Sequence, residues 1–135
     1  MEAIIKSIGR IKTPYQTLEE CPKNISFDGP MCEIIIDKEY TEGMLRLNEI
    51  KRIVVLYWLG HNPVVKMQSV PPRLGAKLSG VFAIRSPKRP NPIGMAIVDI
   101  ERIEGNSIFV KGLDCLNQTA LIDLKPAIKK ELEEI

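Results

Sequence analysis

The sequence has one histidine, His61, and only three cysteines, Cys21, Cys32 and Cys115, at wide spacings. Zinc and non-haem iron need clustered imidazole or thiolate ligands, so an all-protein metal centre is hard to assemble from this set. Dispersed cysteines in odd number also give no disulfide framework, and the three are expected as buried thiols. The glycines never fall two apart, which removes the G-x-G-x-x-G turn of Rossmann-type sheets. Any nucleotide cofactor must be held another way. No stretch approaches the roughly 20 apolar residues of a membrane span, so no membrane role is expected. The segment from Met1 to Lys6 has neither a basic leader before a long apolar run nor a small-residue cleavage site, so secretion is not expected and the cytoplasm is the default compartment.

Acidic residues are missing from one long interval. Between Glu49 and Asp99 there is none, while Lys51, Arg52, Lys66, Arg73, Lys77, Arg85, Lys88 and Arg89 all fall inside it. A one-sign segment of this kind can attract and position a polyanion. It can equally be a solvated basic surface, or pair on folding with the acids that collect at both ends of the chain. A length of 135 residues with 44% hydrophobic and 27% charged residues is that of one soluble domain, 1–135, large enough to bury a core.

What is present is mostly short and β-branched. Ala3 to Ile11 alternates loosely and reads as a strand entering a turn at Pro14, and Cys32 to Asp37 reads as a second. The long irregular segment between them is of the kind that tends to be functional. Tyr40, Met44 and Leu47 predict a short amphipathic helix over 39–47, with Gly43 against it. The apolar run from Ile53 to Leu59 predicts a central buried strand. Residues 63–72 read as a connection and Val81 to Ile84 as a further strand. Pro87, Pro90 and Pro92 then forbid regular pairing and predict a stiff irregular loop. Ala96 to Glu101 and Ile108 to Val110 predict a hairpin about Gly105-Asn106, Leu121 to Leu124 a last strand, and 128–134 a turn or two of helix. Many short strands and almost no long helix give a mainly β fold, a small antiparallel β-barrel or sandwich-like sheet with short helical additions.

The run from Gly80 to Gly94, GVFAIRSPKRPNPIG, resembles the signature of the TrmO-like tRNA methyltransferases. Ile8 to Ile11 with Pro14-Tyr15 is similar to that family's opening strand, Val55 to Leu59 with His61 to its central strand, and Gly112-Leu113-Asp114 through Pro126 to its closing motif. The resemblance covers nearly the whole chain. It implies a small non-Rossmann β-barrel methyltransferase that binds S-adenosyl-L-methionine and works as a homodimer. The implied substrate is threonylcarbamoyladenosine beside the tRNA anticodon, methylated on its exocyclic nitrogen. By motif position, the implied cofactor contacts are Asn24, Ile25, Ser26, His61, Asn62, Arg85, Met95, Asp114, Cys115, Leu116 and Asn117. Three positions depart from the family: Asn24 stands where glutamine is usual, Asn117 where aspartate is frequent, and Ala127 where tyrosine commonly follows lysine and proline. Longer members continue past the equivalent of Pro126, and this length leads us to expect a protein without that extra region.

Methyl transfer to an amide-like nitrogen needs the nucleophile held in line and one proton removed. Asp114 is the first candidate for that proton and His61 the second, the latter with an ordinary pKa of about 6.5. Asp114 could also merely cap a turn, and His61 merely end a strand. Arg85, at a strand end before the proline-rich loop, offers a fork for a carboxylate or phosphate, with a surface ion pair as the alternative. Lys88 and Arg89 suit RNA phosphates, and Arg73 and Lys77 are weaker candidates for the same contacts. Tyr57 and Trp58, inside an apolar run, are expected in the core rather than as a base-stacking platform. Two other classes stay open: a noncatalytic RNA-binding barrel, and a methyltransferase with a different acceptor.

Overall fold

The structure, a computed structural model, describes residues 1–60 and 64–133. The strands are β1 (Gly9–Lys12), β2 (Met31–Ile36), β3 (Arg52–Trp58), β4 (Gln68–Ser69), β5 (Ser79–Gly80), β6 (Ile93–Glu104), β7 (Ser107–Lys111) and β8 (Thr119–Pro126), and one helix, α1 (Lys129–Glu133), follows. Six of the strands close into a barrel in the order β1-β2-β7-β6-β3-β8, every neighbouring pair antiparallel. The expectation of a mainly β, small antiparallel barrel with short helical additions is met. Among the described residues no helix is long and apolar enough to cross a membrane.

Closure follows from the period-two pattern. Ile11, Ile34, Ile53, Val55, Val98, Ile108, Val110 and Leu121 point inward and are buried. Side chains of this size fill a barrel of so few strands, leaving a packed core rather than a channel. β3 alternates strictly, with Ile53, Val55 and Tyr57 inside and Val54, Leu56 and Trp58 half-buried outside. The run from Ile53 to Leu59 is therefore central to the ring, with β6 on one side and β8 on the other, but only one of its faces is fully buried.

Four expectations need correction. The strand expected over Ala3 to Ile11 begins only at Gly9; backbone pairing reaches one residue further back, where Ile8 N–H donates to Leu121 O and Ile8 O accepts from Asp37 N–H, and ends as the chain after β2 turns into a 3₁₀ segment at Lys38. The helix expected over 39–47 is instead two 3₁₀ segments, Lys38–Met44 and Leu47–Glu49, separated by Arg46 in the left-handed region at φ 67°. The strand expected over Val81 to Ile84 is a 3₁₀ turn, Val81–Ala83, with Val81 buried and Phe82 79% exposed. β3 pairs directly with β6, so the chain between them loops outside the ring, and the short β4–β5 ladder that precedes this segment ends as Val81 N–H donates to Met67 O. Within that loop, the segment read as a plain connection contributes β4, which pairs with β5.

Candidate functional site

The antiparallel order sends alternate connections to opposite ends of the barrel. The ends of β1, β3 and β7 at Lys12, Trp58 and Lys111 lie beside the starts of β2, β6 and β8 at Met31, Ile93 and Thr119. Three long connections, 13–30, 59–92 and 112–118, thus emerge at one end. Every described residue singled out as a site candidate lies in one of these connections or, for Met95, at the first turns of β6. The expectations at His61 and Asn62 fall outside the described residues. A cavity of about 690 Å³ sits at the opposite end, between the 3₁₀ segments and the end of β8, lined by Ile8, Tyr40, Met44, Leu47 and Leu124 among others. It contains none of the candidates, so volume does not mark the site; the convergence of polar groups does.

Connections 13–30 and 112–118 are stitched together. Ser26 N–H donates to Gly112 O at 3.0 Å, and Gly112 N–H donates to Pro30 O at 2.9 Å. Gly112 has φ 81°, and a Cβ there would collide with Ser26 O, so only glycine allows the two backbones this approach. Asn24 and Ser26 are exposed on that loop, whereas Ile25 packs against the core. On the other side, Thr13 Oγ1 donates to Cys115 O at 2.8 Å. Asn117 N–H donates to Tyr15 O at 2.8 Å, its side-chain Oδ1 accepts from Thr13 N–H at 3.0 Å, and its Nδ2 reaches Gln16 Oε1 at 3.5 Å. The Asn117 amide thus braces residues 13–16. Leu116 O accepts from Thr119 Oγ1 at 2.6 Å, which fixes the return into β8.

Asp114 is the ionisable residue at the centre of this arrangement. Its Oδ1 accepts a hydrogen bond from Tyr57 OH at 2.9 Å. Tyr57 reaches it from inside the barrel, 3% exposed, with its ring flat against Gly94, where a Cβ would strike the ring carbons. Burial pushes the Tyr57 phenol well above its ordinary range, the Asp114 charge and hydrogen bond raise it further, and the Arg85 charge acts in the opposite direction. Arg85, which stands on a different connection from Asp114, is therefore within electrostatic reach of Tyr57. Tyr15 also feels Asp114: its hydroxyl is raised first by burial and then by the Cys32, Cys21 and Asp114 charges. The Cys115 thiol is pushed up to about 12, mainly by burial.

The cations of the acid-free segment divide by position. Arg52 pairs with Asp99 at 2.7 Å on the barrel wall. Arg89 turns inward on its own loop, where its Nη1 donates to Ile84 O at 3.0 Å and Ser86 O at 3.1 Å. Arg73, Lys77, Arg85 and Lys88 are exposed, and the described residues give them no ion pair. Exposed Phe82, Leu74, Leu78 and Val70 lie on the same connection, and Met95 and Ile93 stand outward beside it, each 38% exposed. Tyr57 is core as expected, while Trp58 faces outward and packs on Gly60. Cys32 and Cys115 are buried as expected and Cys21 is half-buried. Tyr57, Tyr15 and Thr13, which bond to the candidates Asp114, Asn117 and Cys115, were not among the candidates read from the sequence. The usable signal was a lone hydroxyl in the otherwise apolar run 53–59.

Residues 10–131 match the family described as the tRNA-methyltransferase O N-terminal domain. A probable S-adenosyl-L-methionine-binding protein, VirR, of Rhizobium radiobacter is 38% identical over 93% of this chain and 71% of its own. An S-adenosyl-L-methionine-binding protein of Archaeoglobus fulgidus is 38% identical over 90% of this chain and 87% of its own. The tRNA (adenine(37)-N6)-methyltransferase of Rattus norvegicus is 37% identical over 64% of this chain, a match spanning 20% of that protein. A crystal structure of TrmO superposes over 100% of this chain with a TM-score of 0.78 at 22% identity. This chain spans 61% of the length of that solved chain, and the likeness establishes the shared barrel.

Proposed function

The chain belongs to the tRNA-methyltransferase O N-terminal domain family, and on that premise we propose that it methylates the exocyclic nitrogen of threonylcarbamoyladenosine beside the tRNA anticodon, with S-adenosyl-L-methionine as the methyl donor. The observation that supports this most directly is the meeting, at one barrel end, of Asp114, Arg85 and a connection rich in cations and free of acids.

The donor set suits the cofactor. A guanidinium such as that of Arg85 matches a carboxylate in fork geometry. Asn24, Ser26 and the backbone of 114–117 supply further neutral polar groups, and Ile25, Leu116 and Met95 supply apolar contact. Bound there, the cofactor brings an electrophilic methyl on a sulfonium. The protein contributes position and proton handling. Oδ1 of Asp114 is occupied by Tyr57, which leaves Oδ2 to accept the proton of the acceptor nitrogen. A carbamoyl substituent makes that proton more acidic than in plain adenine, so a modest base suffices. His61 is the second candidate base. Exposed Arg73, Lys77 and Lys88 hold tRNA phosphates, and Arg89 supports them by keeping the loop in shape. Apolar exposure at Phe82, Leu74, Leu78 and Val70 on the same connection favours a subunit contact, and the working unit is a homodimer.

The test is transfer of label from radiolabelled S-adenosyl-L-methionine to matched tRNAs with and without threonylcarbamoyladenosine, with Arg85→Ala alongside. Label only in the modified tRNA, lost in the variant, supports the reading. Cofactor binding without transfer to either tRNA redirects it to another acceptor. No cofactor binding at all leaves a noncatalytic RNA-binding barrel.

A further inference from the structure

Tyr57 is an anomaly among the inward side chains of β3. Ile53 and Val55 before it are aliphatic, and a phenylalanine would fill the same space against Gly94 without bringing a hydroxyl into the core. Burying a hydroxyl is unfavourable unless it is hydrogen-bonded, so what the oxygen does is read from the partner it is given. Among the described residues that partner is Asp114: Tyr57 OH donates to its Oδ1 at 2.9 Å, and the described residues give that carboxylate no other hydrogen bond. Asp114 stands on a connection whose backbone is already tied to residues 13–30, so one further bond to its side chain sets the carboxylate plane.

We propose that Tyr57 is a positioning residue of the transferase: from within the barrel it holds Asp114 so that Oδ2 faces the ligands at the loop end. Gly94 belongs to the same device, since its missing side chain lets the ring lie where the hydroxyl meets the carboxylate. The assignment rests on the proposed methyl-transfer reading and deepens it, because it makes the floor of the barrel part of the reaction site.

The experiment is a double-mutant cycle on the transfer rate with Tyr57→Phe, Asp114→Asn and the pair, using the full chain, modified tRNA and labelled S-adenosyl-L-methionine. Tyr57→Phe keeps the ring and its packing, and thermal melting of each variant reports the fold. In the unaltered background we expect Tyr57→Phe to lower the rate about 10- to 100-fold, the size of one hydrogen bond to a charged group. In the Asp114→Asn background the same change is expected to cost less than about threefold, because the residue it acts through is already disabled. A general structural role would give equal losses in both backgrounds, and that result, or no loss in the first, overturns the assignment while leaving the transferase reading intact. Absence of transfer by the unaltered protein overturns both.

Discussion

Gly112→Ala tests whether the loop end of the barrel is built as described. At φ 81° an alanine is strained by about 1 to 2 kcal/mol relative to glycine. Its Cβ would also collide with Ser26 O, a backbone atom that cannot rotate out of the way. If the 24–29 loop retreats, Ser26 N–H loses Gly112 O and Gly112 N–H is drawn from Pro30 O, each hydrogen bond contributing about 1 kcal/mol net. Together these give a loss of about 3 to 4 kcal/mol, a large part of the stability of a small domain. Urea unfolding measures it directly, as a lower midpoint at an unchanged slope. Gly43→Ala is the control, because a Cβ there meets nothing within 4 Å, and the expected change is within about 0.5 kcal/mol. Cofactor affinity should fall as well in Gly112→Ala, since the loop that moves carries Asn24 and Ser26. A loss below about 1 kcal/mol, or equal losses at the two glycines, would refute this account of the loop end.

The contribution of Cys115 to stability should be flat with pH up to the ordinary thiol value of 9.0 and then decline: the unfolded chain releases the Cys115 proton near 9.0, the fold retains it to about 12, and unfolding between the two therefore releases a proton. The decline is up to about 1.4 kcal/mol per pH unit for this thiol, and urea midpoints at rising pH, compared with Cys115→Ala, should show it shrink in the variant. For the RNA contacts, Lys77→Ala or Lys88→Ala should lower the dependence of log affinity on log salt by about 0.7 to 0.9 per phosphate contact, read from tRNA binding at several salt concentrations. Arg89→Ala should lower transfer activity more than it changes this slope, because the guanidinium is bonded to Ile84 O and Ser86 O.

Chemical class was legible in local pattern. The β-branched runs announced strands because a period of two needs only neighbours in the chain, and five of the six barrel strands lie where those runs are. β1 was visible as well, though overextended, since its limit is set by where its partner β2 ends rather than by its own residues. Val81 to Ile84 failed for the same reason: strand-like composition does not make a strand without a partner, and closure of β3 on β6 excludes this segment from the ring. The turn of backbone at Arg46 that splits the expected helix likewise has no strong local signal, as arginine has no preference for the left-handed region.

Motif and charge, read along the chain, determined where the candidate groups would be found: the proline-studded loop, the acid-free cationic interval and the segment around Asp114 are properties of consecutive residues. Only the tertiary structure decided which of them meet. The alternating directions of antiparallel strands bring 13–30, 59–92 and 112–118 to one end, set Arg85 within electrostatic reach of Tyr57, and turn Asn117 into a brace for residues 13–16. The bond from Tyr57 to Asp114 joins residues far apart in sequence through the inside of a barrel, and it exists because strand pairing, a nonlocal choice, places one beneath the other.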